Sequence, residues 1–117
     1  MPGYARKVWQ PYETRKVTKK GGIYLIRKAK GKIQYLGQSS NLRKRLNAHK
    51  YGSQQAISKF VKEEFDKNDG KNLRIKWIPT QYHKCIEGMA LDYVAMKIGY
   101  WPPKNKKPGN KCRRLRQ

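Results

Sequence analysis

Residues 22–49 read GIYLIRKAKGKIQYLGQSSNLRKRLNAH, and the fold depends on how this stretch divides. Residues 22–29 are β-branched, aromatic and apolar, Lys30 and Gly31 punctuate, and residues 33–37 resume that character, as two strands around a tight turn do. With a two-residue loop Ala29 faces Lys32, so Ile26 faces Tyr35 and Tyr24 faces Gly37. Tyr24 and Tyr35 then share one face as diagonal neighbours roughly 7 Å apart, and a slip of one residue would separate them. Ser39, Ser40 and Asn41 offer caps for a helix in which Leu42 and Leu46 begin an apolar stripe. Arg45 and His49 fall at i+3 and i+7 from Leu42, inside that stripe, where a charged group needs a reason.

Working outward, residues 1–20 mix basic residues with Tyr4, Trp9 and Tyr12, are interrupted by Pro2 and Pro11, and show no sustained period, which predicts an irregular arm. Its aromatics either stack on the bases of a nucleic-acid strand while the charges follow the phosphates, or dock the arm on the core. From Ser53 the period is helical, with Ala56, Ile57, Phe60, Val61 and Phe65 on one face and Lys59, Lys62, Glu63, Glu64 and Asp66 on the polar side, ended by Asn68, Asp69 and Gly70. Leu73, Ile75 and Trp77 alternate with Arg74 and Lys76 as a half-buried strand closed by Pro79. Residues 85–98 have the period of a third helix, stopped by Pro102 and Pro103. The expected fold is α/β of the α+β type: a small, mostly antiparallel three-stranded sheet flanked by helices in the order β-β-α-α-β-α. The expected organisation is a basic aromatic arm at 1–20, one domain at 21–106 and a basic tail at 107–117.

At 117 residues with 37% hydrophobic content, the chain supports one modest core. Its net charge of +22, from 29 Lys and Arg against 7 Asp and Glu, repels itself unless a polyanion is near, and nucleic acid is the expected partner. A membrane is not: no stretch has the apolar length of a spanning helix and no signal peptide opens the sequence, so an intracellular location, cytoplasmic or nucleoid-associated, is expected. Cys85 and Cys112 form no framework of paired spacings and are expected to be reduced.

Metal-assisted hydrolysis needs carboxylates, and the seven acids are few enough to screen singly. Glu13 sits in the arm, Glu63, Glu64 and Asp66 on a polar helix face, and Asp69 in a turn, leaving Glu87 and Asp92. Leu91, Val94 and Ile98 follow Glu87 at i+4, i+7 and i+11, so Glu87 either points inward at the start of an apolar stripe or complements a helix dipole in its first turn. No cluster of converging carboxylates is visible for two metals, and His49, His83, Cys85 and Cys112 match no zinc-finger spacing.

Gly22-Ile23-Tyr24 followed by Tyr35-Leu36-Gly37 resembles the signature of the GIY-YIG nuclease superfamily, with Leu36 in place of the commonest isoleucine. The likeness continues through residues 37–46, with Arg45 at the position of the family's essential arginine, His49 one turn on, and Glu87 at the position of its single metal-binding glutamate. Asn105, near Pro103, fits the family's asparagine, and Asn110 is a rival. The resemblance covers roughly residues 21–106 and implies a DNA endonuclease that hydrolyses a phosphodiester with one Mg²⁺ or Mn²⁺ on Glu87. It implies that Arg45 binds the scissile phosphate, Tyr24 takes the proton of the attacking water, His49 supports Tyr24 and Tyr35 positions water or phosphate. Products would carry 5′-phosphate and 3′-hydroxyl ends.

The expected phosphate-contacting residues are Arg43, Lys44, Lys50, Lys104, Lys106, Lys107, Arg113 and Arg114, serving duplex or branched DNA with low sequence specificity. The same size and charge suit a non-catalytic basic nucleic-acid-binding protein of ribosomal or nucleoid type. Salt dependence would not separate the two, because both bind through phosphates.

Overall fold

The computed structural model describes residues 9–52 and 55–105, with the backbone alone for residues 84–86. The elements are β1 (Gln10–Pro11), a 3-10 turn (Thr14–Lys16), β2 (Gly22–Lys28), β3 (Ile33–Ser39), α1 (Leu42–His49), α2 (Ala56–Asn68), β4 (Leu73–Pro79) and α3 (His83–Ile98). The start of the arm, with Pro2 and Tyr4, and the tail, with Asn110 and Cys112, lie outside the described residues.

The expected mixed fold and element order are present, but the sheet has four strands, in the order β1-β4-β2-β3, all antiparallel. The extra strand comes from the arm expected to be irregular: Gln10 pairs with Ile75 and Pro11 with Arg74. A strand this short shows no alternation, and proline, lacking an N–H, is confined to an edge such as this. The third helix begins at His83, two residues before the sequence expectation.

The register matters most at the hairpin. Tyr24 pairs with Gly37 and Ile26 with Tyr35, as the two-residue loop requires, yet Arg27 pairs with Ile33. The loop is therefore longer than expected, closed by Gly31 N–H donating to Lys28 C=O at 3.1 Å, and an irregularity at Gln34 restores the register before Tyr35.

α1 starts where Asn41 Oδ1 accepts from Lys44 N–H at 3.0 Å. Its Leu42 and Arg43 N–H groups are taken by the arm carbonyls of Lys20 and Thr18, at 3.0 and 3.1 Å. α2 ends in a left-handed Asp69 (φ 57°) and Gly70 (φ 72°), whose N–H reaches back to Glu64 C=O. One core lies between α1, α2 and the sheet face carrying Tyr24, Ile26, Ile75 and Trp77. α3 packs against β3 and β2, and His83 Nδ1 meets Gln38 Oε1 at 2.7 Å, placing the helix start on the face of Gln38, Leu36 and Ile23.

The described aromatics of the arm dock. Tyr12 is buried, donates to Leu46 C=O at 2.6 Å and sets its ring edge-on to Phe65 at 5.3 Å. Trp9 lies beside the Arg27 guanidinium at 4.4 Å and the Lys76 ammonium at 4.8 Å. Glu64, expected on a polar face, is buried and pairs with Lys28 at 3.6 Å.

Tyr12→Phe, which removes the hydrogen bond to the Leu46 carbonyl, is expected to cost about 1 kcal/mol, and Tyr12→Ala, which also empties the ring's place, about 3–5 kcal/mol, both read by urea unfolding.

Candidate active site

Three elements bring the polar groups together. β2 supplies Tyr24, β3 supplies Tyr35 on the same face, and α1 turns Arg45 and His49 back over them. The rings of Tyr24 and Tyr35 are 6.0 Å apart between centroids, those of Tyr24 and His49 5.8 Å, and those of Tyr35 and His49 6.1 Å. Gly37 makes this cluster possible. A Cβ there would lie 2.5 Å from Tyr24 Cζ and Oη and 2.6 Å from Tyr35 Cε2, so the space of a side chain at position 37 is filled by the two phenols.

A chain of short hydrogen bonds runs inward: Tyr24 Oη to His49 Nε2 at 2.7 Å, and His49 Nδ1 to Ser58 Oγ at 2.8 Å. Tyr24, His49 and Ser58 are all buried. Arg45 is half-buried, with one amino group donating to Gln55 Oε1 at 2.7 Å.

Burial dominates the electrostatics. Desolvation, with a smaller contribution from Tyr35, pushes the Tyr24 phenol well above its usual range, while the charge and hydrogen bonding of Arg45 pull it down. Tyr35 is raised by desolvation and then by the negative charge of Glu87, and lowered by Arg45. His49 is lowered to about 4, first by burial and then by repulsion from Arg45, so its ring is neutral at physiological pH. The Glu87 carboxyl is raised by desolvation and has no ion pair among the described residues.

Glu87 lies in α3, some forty residues along the chain from Arg45, and the fold sets it close enough for its charge to act on both Tyr24 and Tyr35. Tyr24, Tyr35 and His49 thus form one packed group, with the charges of Arg45 and Glu87 acting on the phenols. Asn105 does not join them through its amide. Its Oδ1 accepts from Leu36 N–H and its Nδ2 donates to Leu36 C=O, both at 2.8 Å, on the free edge of β3. Lys104 N–H donates to Gln34 C=O at 2.8 Å, so these two contacts bracket Tyr35 from outside the sheet.

The basic residues differ in their engagement. Lys44 is exposed, Arg43 Nε donates to Val17 C=O at 2.8 Å, and the ammonium groups of Lys50 and Lys104 lie 4.9 and 5.7 Å from the rings of Phe65 and Phe60. Lys106, Lys107, Arg113 and Arg114 lie outside the described residues. Sequence reading missed Ser58, Gln55 and the spatial role of Gly37. Ser58 was findable, since it falls between Ile57 and Val61 inside the buried stripe of α2, the same signal that marked His49.

A family model described as the GIY-YIG catalytic domain matches residues 20–87, more than half of the chain and a span holding Tyr24, Tyr35, Arg45, His49 and Glu87. No curated protein and no solved structure matches the chain.

Two outcomes follow from the packing and charge. Gly37→Ala forces both phenols to move and is expected to destabilise the chain by about 1–3 kcal/mol in urea unfolding, with tyrosine ring resonances displaced. Between His49's usual value of 6.5 and its folded value of about 4, the unfolded chain binds more protons at that site, so its contribution is complete above 6.5 and is lost as pH falls through that window. The loss amounts to about 3 kcal/mol, and the difference in stability between pH 7 and pH 4 should shrink correspondingly in His49→Asn.

Proposed function

The chain belongs to the GIY-YIG family, and on that premise we propose that it is a metal-dependent DNA endonuclease working by a one-metal hydrolysis of phosphodiester bonds. Membership itself implies nuclease activity, a nucleic-acid substrate and, in general, a divalent metal. The finer reading rests on one observation, the joining of Tyr24, Tyr35, Arg45, His49 and Glu87 in a single electrostatic environment. In the proposed complex Arg45 donates two hydrogen bonds to the scissile phosphate and stabilises the charge added in the transition state.

Tyr24 is a poor base taken alone, because burial holds it protonated. Its bond to the neutral His49 ring supplies an outlet. With Nδ1–H donating to Ser58 and the Tyr24 hydroxyl donating to Nε2, the phenol oxygen accepts the proton of the attacking water as its own proton passes to His49. Phosphate negative charge beside Arg45 weakens the repulsion that otherwise opposes a proton on His49. Tyr35 orients the water or a phosphate oxygen. The water oxygen bonds to phosphorus, the P–O3′ bond breaks and O3′ leaves, taking a proton from solvent water, to give 5′-phosphate and 3′-hydroxyl ends.

Glu87 suits a metal: its carboxyl is half-buried, opposed by desolvation and without an ion pair among the described residues. No group of three or more His, Cys, Asp or Glu that could hold a metal occurs among the described residues, so Glu87 would share the ion with phosphate oxygens and water, an arrangement Mg²⁺ and Mn²⁺ accept. When bound, the ion supplies Lewis-acid stabilisation of charge on the leaving oxygen. Asn105 acts in this reading by holding β3 behind Tyr35. Lys44, Lys50 and Lys104, with the basic residues of the tail, supply backbone affinity for duplex or branched DNA and little sequence choice. No helix among the described residues is long and apolar enough to cross a membrane.

Wild-type protein is expected to nick plasmid with Mg²⁺ or Mn²⁺, and Arg45→Ala and Glu87→Ala to lose about 10²-fold or more of the rate while retaining DNA binding. Cleavage no faster than that of the double variant, with binding intact, would leave a non-catalytic nucleic-acid-binding protein.

A further inference from the structure

Beyond the catalytic cluster, the surface holds a cavity of about 650 Å³ where the start of β2, the end of β3, the end of β4 and the start of α3 meet. Its walls are formed by Lys20, Gly21, Ser40, Pro79, Thr80, Gln81 and His83, so basic, hydroxyl, amide and imidazole residues line one space. No carboxylate is among the described residues that line it. In a chain of net charge +22 positive surface is ordinary, but a buried histidine at the base of a polar cavity is not.

His83 is 9% exposed and held from one side, its Nδ1 bonded to Gln38 Oε1 at 2.7 Å. The other edge of the ring turns toward Gly21, where a Cβ would lie 2.7 Å from His83 Cδ2 and 3.0 Å from Nε2. With no side chain of its own, Gly21 lets this edge of the ring pack close against its backbone. Thr80 Oγ1 accepts from Tyr82 N–H at 3.1 Å, which leaves its own hydrogen to donate, and Thr80 N–H is fixed to Gly21 C=O at 2.9 Å. The cavity wall is thus built from groups oriented by their neighbours.

The position is informative. His83 and Glu87 are i and i+4 on α3, one above the other and about 6 Å apart along the axis. Lys20 and Gly21 lead directly into the strand that carries Tyr24.

We propose that this cavity is a second backbone subsite, in which Lys20, Thr80 and His83 hold a phosphate of the cut strand adjacent to the scissile one. Its place in the reaction rests on the nuclease reading; its affinity for the DNA backbone does not. In that complex the His83 ring meets the phosphate while Nδ1 remains on Gln38, and Lys20 adds a charge at the rim.

The test uses full-length protein carrying Glu87→Gln, so that DNA is bound without being cut. The chain has only two histidines, His49 and His83, so the ring resonance of His83 is assigned by its loss in His83→Gln. A saturating short duplex is expected to shift that resonance. Adding Lys20→Ala is expected to shrink the shift and to lower the slope of log affinity against log salt by about 1, the loss of one phosphate contact. Inorganic phosphate alone should shift it only at far higher concentration. An unmoved His83 at saturating duplex, a salt slope unchanged by Lys20→Ala, or a response to phosphate but not to duplex would each overturn the subsite. Plasmid cleavage with Glu87 intact is read separately, so failure of the nuclease reading remains distinguishable from failure of the subsite.

Discussion

The arrangement depends on one close approach, that of the Tyr24 ring to the backbone at Gly37. Any side chain at position 37 would occupy the space taken by both phenols, and cross-strand pairing sets Tyr24 opposite that glycine rather than one residue to either side. From there the site grows in two directions. Inward, the Tyr24 hydroxyl meets a histidine fixed by a serine on α2; outward, the phenols adjoin Arg45 and the charge of Glu87. A glycine in a strand interior weakens the strand, and here it makes room for the two phenols.

The same economy explains the energetics. Tyr24, His49 and Ser58 occupy volume that an apolar core would otherwise use, and their hydrogen bonds only partly offset the cost of withdrawing polar groups from water. The consequence is a buried imidazole that resists protonation and a buried phenol that resists deprotonation, joined by one hydrogen bond.

Much of this was legible in residues 22–49. The alternating strand residues and the capped helix fixed both elements, and polar residues inside an apolar stripe marked Arg45 and His49. The Tyr24–Gly37 pairing was inferred from a two-residue loop that the protein does not have; a longer loop and the irregularity at Gln34 cancel, so the register agrees for a different reason. β1 was hidden because two residues carry no period, and its pairing depends on β4 more than sixty residues away. Glu64 and Ser58 were obscured by treating α2 as one apolar face with a polar remainder, although both lie at buried positions. Asn105 was marked through family likeness, while its contact with the edge of β3 is a matter of tertiary geometry.

That edge has a further meaning for a protein so strongly charged. Chains drawn to the same polyanion crowd one another at local concentrations far above those in free solution, where an open strand margin invites sheet-to-sheet association. Among the described residues both margins of this sheet are partly blunted. At β3 the backbone groups of Ile33, Gln34 and Leu36 are taken by Tyr100, Lys104 and Asn105. At the other side the outermost strand is two residues long and contains a proline. Covered margins of this kind limit edge-to-edge pairing between copies held close together.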